Sequence, residues 1–196
     1  MNAPDRQLDG YEVLLCVTGG IACYKSAELT SRLTQAGAGV TVAMTESARH
    51  FVAPLTFQAL SGRQVFTSTW QAEEDYRPGH LSLTEAADLM IIAPATANIL
   101  AKMACGIADE LVSTLALSAH GACDILLAPA MNTRMWEAPA TQANLATLTE
   151  RGVHIVGPTE GHLACGEVGK GRMAEPADIL AVARELLLRR KPKRRR

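Results

Sequence analysis

The 196-residue chain is poor in aromatic side chains, at 4%, which leaves little material for the stacking platforms that grip single-stranded nucleic acid. Its cysteines are few and unorganised: Cys16, Cys23, Cys105, Cys123 and Cys165 are odd in number and form no C-x-x-C pair. A disulfide framework or zinc ribbon is therefore not expected, and most of the thiols should be buried. No stretch approaches the ~18 consecutive apolar residues of a membrane span, and the N-terminal MNAPDRQLDG lacks the apolar centre of a signal peptide, so a cytosolic location is expected. The phosphate-binding signatures G-x-G-x-x-G and G-x-x-x-x-G-K-[ST] are both missing, which weighs against NAD and ATP. Acidic residues are missing from residues 189–196 (RRKPKRRR), which hold seven of the nineteen basic groups. The rest of the chain sets 12 basic residues against 20 acidic ones, so a net charge of -1 hides a body at -8 with a basic tail.

What is present is globular composition, 48% hydrophobic and 20% charged, in a chain long enough to bury roughly 70% of its unfolded surface as one domain. Five short apolar runs, Tyr11 to Val17, Val40 to Met44, Asp88 to Ala93, Cys123 to Ala128 and Val153 to Val156, alternate with helical patterns. The helical patterns include one that closes at Gly37, one from Asn98 to Ser118 and one from Thr141 to Glu150. Continuous apolar runs of this kind are strands buried on both faces. Their alternation with helices predicts an α/β fold, a single-domain, flavodoxin-like or Rossmann-like three-layer structure around a parallel sheet. Residues 1–10 are expected to be an N-terminal extension, 11–188 the domain, and 189–196 a basic tail or the start of a linker.

Ligands of such sheets bind outside the carboxyl ends of the strands. The residues following the runs are Thr18-Gly19-Gly20-Ile21, Thr45-Glu46-Ser47, Pro94-Ala95-Thr96-Ala97-Asn98, Pro129-Ala130-Met131-Asn132 and Gly157-Pro158. They are small, hydroxylated or amide-bearing and scarcely charged, which suits a neutral planar ligand. A phosphate can sit on free N–H groups where Gly20-Ile21-Ala22 opens a helix, without a lysine. One phosphate and a large ring system describe flavin mononucleotide (FMN) better than a dinucleotide. Each turn taken alone is equally well an ordinary βα connection.

Two further stretches stand out. Gly157 to Pro176 is a glycine-rich connection of about twenty residues, a length usually reserved for lids and binding loops. It places Cys165 near Lys170 and Arg172, where a thiol and two cations can meet an anionic substrate. Its His162-x-x-Cys165 lacks the second pair that a metal site would need, so no metal is expected. The other stretch, Gly79-His80-Leu81-Ser82-Leu83, follows a polar segment and precedes the central strand.

Together PATAN (Pro94 to Asn98), PAMNTRMW (Pro129 to Trp136) and ACGEVGKGRMAEP (Ala164 to Pro176), with TGGIA at the first turn and HLSL before the central strand, resemble the homo-oligomeric flavin-containing cysteine decarboxylases. The resemblance runs from about Val13 to Arg184. It implies FMN, with Gly19, Gly20 and Ile21 near its phosphate, Thr45 and Ser47 beside it, and Thr96, Ala97, Asn98 and Ala130 around the cofactor. It marks His80 and Cys165 as catalytic, with Cys165 on a clamp over the substrate. Asn132 is implied to grip the substrate carboxylate, with Met131 and Ala164 in the substrate site and Lys170 and Arg172 on a phosphate of the substrate. One departure is Ile99, where the family pattern has threonine; Thr96 stands for a serine and keeps the hydroxyl.

The activity implied is decarboxylation of 4′-phosphopantothenoylcysteine to 4′-phosphopantetheine in coenzyme A biosynthesis. Loss of CO2 from an N-acylated cysteine needs an electron sink, which oxidation of the thiol to a thioaldehyde provides; returning the electrons afterwards makes the reaction redox-neutral. The residue types agree with those roles. An imidazole titrates near neutrality and can take the thiol proton, a thiol is mostly protonated at neutral pH and can donate to carbon, and a neutral amide can hold a carboxylate without the full ion pair that would anchor the departing charge. The resemblance also implies a trimer, or a multiple of it, and a phosphopantothenate–cysteine ligase as a fused or separate partner. A peptidyl-cysteine decarboxylase and a non-catalytic regulatory flavoprotein remain as rivals, and nucleic-acid binding by the basic tail would need only charge.

Overall fold

The computed structural model of the chain describes residues 6–70, 79–162 and 168–193, with the backbone alone at 79, 80 and 162. Its centre is a six-stranded parallel sheet of β1 (Glu12–Val17), β2 (Gly39–Met44), β3 (Val65–Phe66), β4 (Leu89–Ala95), β5 (Asp124–Pro129) and β6 (His154–Ile155), in the order β3-β2-β1-β4-β5-β6. The helices are α1 (Cys23–Gln35), α2 (Glu46–Arg49), α3 (Pro54–Ser61), α4 (Gly79–Ala86), α5 (Ala97–Cys105), α6 (Leu111–Ser118), α7 (Thr133–Glu137), α8 (Pro139–Glu150) and α9 (Pro176–Leu188).

The pleat of the central strands explains why their sequences read as unbroken apolar runs. Val13, Leu15 and Val17 of β1 and Leu89, Ile91 and Ala93 of β4 face a core with Leu29 and Leu33 of α1, Phe57 of α3, and Ile179 and Ala183 of α9. Leu14, Cys16, Met90 and Ile92 face the opposite core, with Leu100 of α5, Leu115 of α6, and Leu145 and Leu148 of α8. Successive side chains enter opposite cores, so neither parity can be polar. This is the three-layer parallel fold that the strand–helix alternation predicts. Without the two-residue edge strand β3 the order is flavodoxin-like, and in either count it reverses between β1 and β4, where a ligand crevice opens.

Two predicted elements differ from the structure. The helix expected from Asn98 to Ser118 is two helices: Gly106 takes a left-handed φ of 72° and ends α5. Glu110 then caps α6, its carboxylate accepting from the N–H groups of Val112 and Ser113 while the Ser113 hydroxyl accepts from the Glu110 N–H. The long connection after β6 is not irregular either. Within it β7 (Thr159–His162) and β8 (Val168–Arg172) form an antiparallel hairpin, and the facing pair Gly161 and Gly169 hides the alternation by which strands are read.

Both ends of the described chain pack against the sheet and its helices. Leu8 is fully buried and its N–H donates to the Ala36 carbonyl. The Arg190 carbonyl accepts from the Tyr11 hydroxyl, and Lys193 Nζ donates to the carbonyls of Glu85, Ala87 and Ala122. Asp88 joins the two ends: its Oδ2 accepts from the N–H of Glu12 and its Oδ1 from the N–H of Lys193, both at 2.8 Å.

Burial raises the Asp88 carboxyl above its ordinary value, although Lys193 opposes the effect. A raised carboxyl binds more protons folded than unfolded, so its contribution favours folding below the unfolded value and is lost as pH rises through the folded one. Asp88→Asn keeps one acceptor but turns an N–H towards the second donor. Thermal unfolding of this variant is expected to show a loss of about 1–3 kcal/mol and to lack the Asp88 part of the acid-side pH slope; an unchanged midpoint would refute the bridging role.

Candidate active site

The N-cap residues Ala22, Thr45, Thr96, Glu110 and Asn132 all line one cavity of about 920 Å³ at the carboxyl ends of β1, β2, β4 and β5. That volume is within the usual range for a cofactor site. The caps explain why the sequence folds this way locally. Thr45, Thr96 and Asn132 each sit in extended backbone and accept through the side chain from the N–H three residues on: Ala48 (3.2 Å), Ile99 (3.4 Å) and Met135 (2.8 Å). Each strand therefore turns into its helix over a residue whose polar group is committed on one side.

That commitment fixes what the other side presents. With Asn132 Oδ1 held by the Met135 N–H, the amide cannot flip, and its NH2 is the group left for a ligand. Thr45 likewise keeps its hydroxyl proton after accepting from Ala48. Helix α1 is the contrast, because Ala22 offers no side-chain cap; the N–H groups of Cys23 and Lys25 donate at 3.0 Å to the Gly20 and Ala22 carbonyls, and the turn stands at the positive end of the helix dipole. An anion fits there and a carboxylate fits at Asn132.

The floor is tied together by Thr18, which is 2% exposed. Its hydroxyl donates to the Pro94 carbonyl at 2.6 Å and its oxygen accepts from the Thr96 N–H at 3.3 Å, locking the first turn to the PATAN turn. Charged residues do reach the wall, but each has a partner: Glu46 with Arg49, Lys102 with Asp109, and both Lys25 and Arg172 with Glu175. A neutral ring system above an anion-binding turn matches this lining, so a flavin mononucleotide fits. Gly19, Gly20 and Ile21 with Thr45 and Ser47 would hold its phosphate, and Thr96, Ala97, Asn98 and Ala130 would bound the ring.

All nine residues expected around the cofactor line the cavity, as do Met131, Asn132 and Arg172. Lys170 does not: it lies exposed on β8, paired in register with Glu160. His80 lies in the first turn of α4, with its side chain outside the described residues, and Ala164 and Cys165 fall outside them altogether. Sequence reasoning missed Thr18, Tyr24, Lys25, Glu46, Lys102, Glu110, Met135, Gly171 and Met173 as lining residues; of these Thr18 and Glu46 stood in inspected turns. Ile99 is 2% exposed in the second core, so apolar packing occupies the position where the family pattern has a hydroxyl.

Three of the described thiols, Cys16, Cys23 and Cys123, are not poised for nucleophilic work. Burial raises Cys16 and Cys23, and pushes Cys123 up to about 11. Among the described thiols Cys16 and Cys23 are buried, Cys123 is intermediate, and Cys105, at the end of α5, is exposed.

The Flavoprotein family profile matches residues 1–188. The coenzyme A biosynthesis bifunctional protein CoaBC of Bacillus subtilis is 49% identical over 176 residues, which is 90% of this chain and 43% of that protein. The chain thus spans under half the length of that curated relative. Among solved structures, a PPC decarboxylase cysteine-to-serine mutant complexed with pantothenoylaminoethenethiol superposes with a TM-score of 0.81 at 32% identity, covering 89% of this chain and 97% of the other. The FMN-dependent cysteine decarboxylase SpaF does so with a TM-score of 0.79 at 30% identity, covering 91% and 96%. With a cavity walled by the PATAN and PAMN turns and a matching profile along nearly its whole length, the chain belongs to the Flavoprotein family.

Proposed function

We propose that the chain is an FMN-dependent carboxy-lyase that converts 4′-phosphopantothenoylcysteine to 4′-phosphopantetheine in coenzyme A biosynthesis, in the cytoplasm. The observation that carries this reading is the pairing, in one cavity, of an uncapped α1 N-terminus with an Asn132 amide whose donor face is fixed. Likeness to CoaBC and to a PPC decarboxylase bound to pantothenoylaminoethenethiol supports the substrate, and likeness to SpaF supports the cofactor.

Bound FMN supplies reversible hydride acceptance, which no side chain here can. The residues do the rest. Asn132 holds the substrate carboxylate by its NH2, so the leaving CO2 departs from hydrogen bonds and not from an ion pair. His80 takes the thiol proton during oxidation, and Cys165 returns a proton to carbon after CO2 has left. Met131 and Ala164 bound the substrate, and Arg172, which lies on the cavity wall, faces its phosphate end. In this reading residues 11–188 are the catalytic domain, 1–10 an N-terminal extension and 189–196 a basic tail or the start of a linker. The working unit is a trimer or a multiple of it, and the phosphopantothenate–cysteine ligase is a fused or separate partner.

Purified protein is expected to be yellow, with flavin bands near about 370 and 450 nm, and to release CO2 from 4′-phosphopantothenoylcysteine in preference to a peptide ending in cysteine. Colourless protein that cannot be reconstituted, or preference for the peptide, would overturn the assignment. Cys165→Ser is expected to release CO2 once and stall at the ene-thiol; full turnover by that variant would remove Cys165 from the proton-donor role.

A further inference from the structure

Lys25 of α1 lines the cavity yet is only 4% exposed. Removing an ammonium from water costs several kcal/mol unless it is paired and hydrogen-bonded, and a methionine would fill the same space at no such cost. Lys25 is paired at long range: Nζ donates at 3.0 Å to the Met173 carbonyl and at 3.0 Å to Glu175 Oε1. The same Glu175 oxygen accepts from Arg172 Nη2 at 2.6 Å. One carboxylate oxygen thus joins a buried cation from the helix that starts at the anion-binding turn to a half-exposed cation from the last residue of the hairpin. The Lys25 ammonium holds the Glu175 carboxyl below its ordinary value, with Arg172 adding to the effect, so the link stays ionised at neutral pH.

Arg172 is confined from two further sides. Its Cδ and Nη1 lie over Gly161 of β7, where a Cβ would come within 3.1 Å of both. The residue before it is pinned by the Met131 N–H donating to the Gly171 carbonyl at 2.9 Å. A guanidinium offers five donors in a planar fork. With Nη2 held by Glu175, the fork's orientation is set before any ligand arrives, and Arg172 lies on the cavity wall.

We propose that Lys25 and Glu175 are positioning residues that act through Arg172: Lys25 fixes Glu175, and Glu175 aims the guanidinium at the phosphoryl end of the substrate. They set the preference for a phosphorylated over an unphosphorylated pantothenoylcysteine. This rests on the function proposed above, whose phosphorylated substrate is the anion in question.

The test is steady-state kinetics of the flavin-loaded enzyme with 4′-phosphopantothenoylcysteine and with pantothenoylcysteine. Arg172→Ala is expected to raise KM for the phosphorylated substrate about ten- to a hundredfold, as loss of a hydrogen bond to a charged group does. Lys25→Met and Glu175→Gln should raise it by a smaller factor, with kcat and the KM for the unphosphorylated substrate unchanged. Glu175→Gln added to Arg172→Ala should change nothing further, since residues acting through one group are not additive. Equal losses on both substrates, or full additivity in the double variant, would reduce Lys25 and Glu175 to structural ties. If Lys25→Met fails to fold, Glu175→Gln, nearly isosteric and half-exposed, decides alone. Wild-type enzyme inactive on both substrates would end the proposed function and this inference with it; active wild type with unmoved ratios would end the inference only.

Discussion

Asn132→Asp is expected to fold, retain its flavin and lose decarboxylation about a thousandfold or more. The two atoms of the side-chain terminus have separate tasks. Oδ1 accepts from the Met135 N–H at 2.8 Å and starts α7, and aspartate is as good an N-cap as asparagine, so the substitution leaves that bond in place. In the proposed function Nδ2 is the donor to the substrate carboxylate, and aspartate replaces it with an anionic oxygen. The cost combines a lost hydrogen bond to a charged partner, about 1.5–3 kcal/mol, with repulsion between two carboxylates in a partly desolvated site. A total of about 4 kcal/mol corresponds to three powers of ten. Thermal unfolding and the flavin spectrum should stay close to wild type while CO2 release collapses. Asn132→Ala gives the opposite balance, with a milder loss of activity but a measurable loss of stability from the missing cap. Near-normal activity of Asn132→Asp would remove Asn132 from the carboxylate site.

The fold was legible because every central strand is buried on both faces, so its sequence is apolar at both parities, and the alternation of such runs with helices selects a covered parallel sheet. The cavity was legible for a related reason. After β2, β4 and β5 the helix caps are Thr45, Thr96 and Asn132, and the same residues line the cavity, so turn and site share one signal there. The hairpin β7–β8 was not legible, since glycines at 161, 169 and 171 erase the side-chain alternation of a strand. Lys25 was not legible because it lies in the first turn of a helix, outside the inspected connections, and its partners are 148 and 150 residues away. The docking of Lys193 had no signature at all, because its Nζ acceptors are main-chain carbonyls, which any sequence supplies.

Gly19→Ala is expected to give a destabilised protein that purifies without flavin, and the reason is contact, not backbone freedom. A Cβ at Gly19 would overlap the Ser47 Cβ and come within 2.8 Å of the Ser47 carbonyl carbon and 3.0 Å of its oxygen. These are main-chain or near-main-chain atoms of α2, so no rotamer change relieves them. The first turn and α2 must separate, and both belong to the proposed phosphate site through Gly19, Gly20, Ile21, Thr45 and Ser47. Overpacking of this kind costs about 1–3 kcal/mol in stability. Opening an anion site by several tenths of an ångström also loses the hydrogen bonds that define it, so flavin affinity should fall at least a hundredfold, read by spectral titration of the apoprotein. Gly20→Ala separates the two effects. Its Cβ would meet only Thr96 Cγ2 at 3.8 Å and Pro94 Cγ at 4.0 Å, ordinary contact distances, so the apoprotein should melt like wild type. Since that Cβ enters the cavity, any loss of flavin in Gly20→Ala reads the cofactor's own approach to the turn. Normal flavin binding by Gly19→Ala would show that α2 yields freely and that the phosphate is held elsewhere.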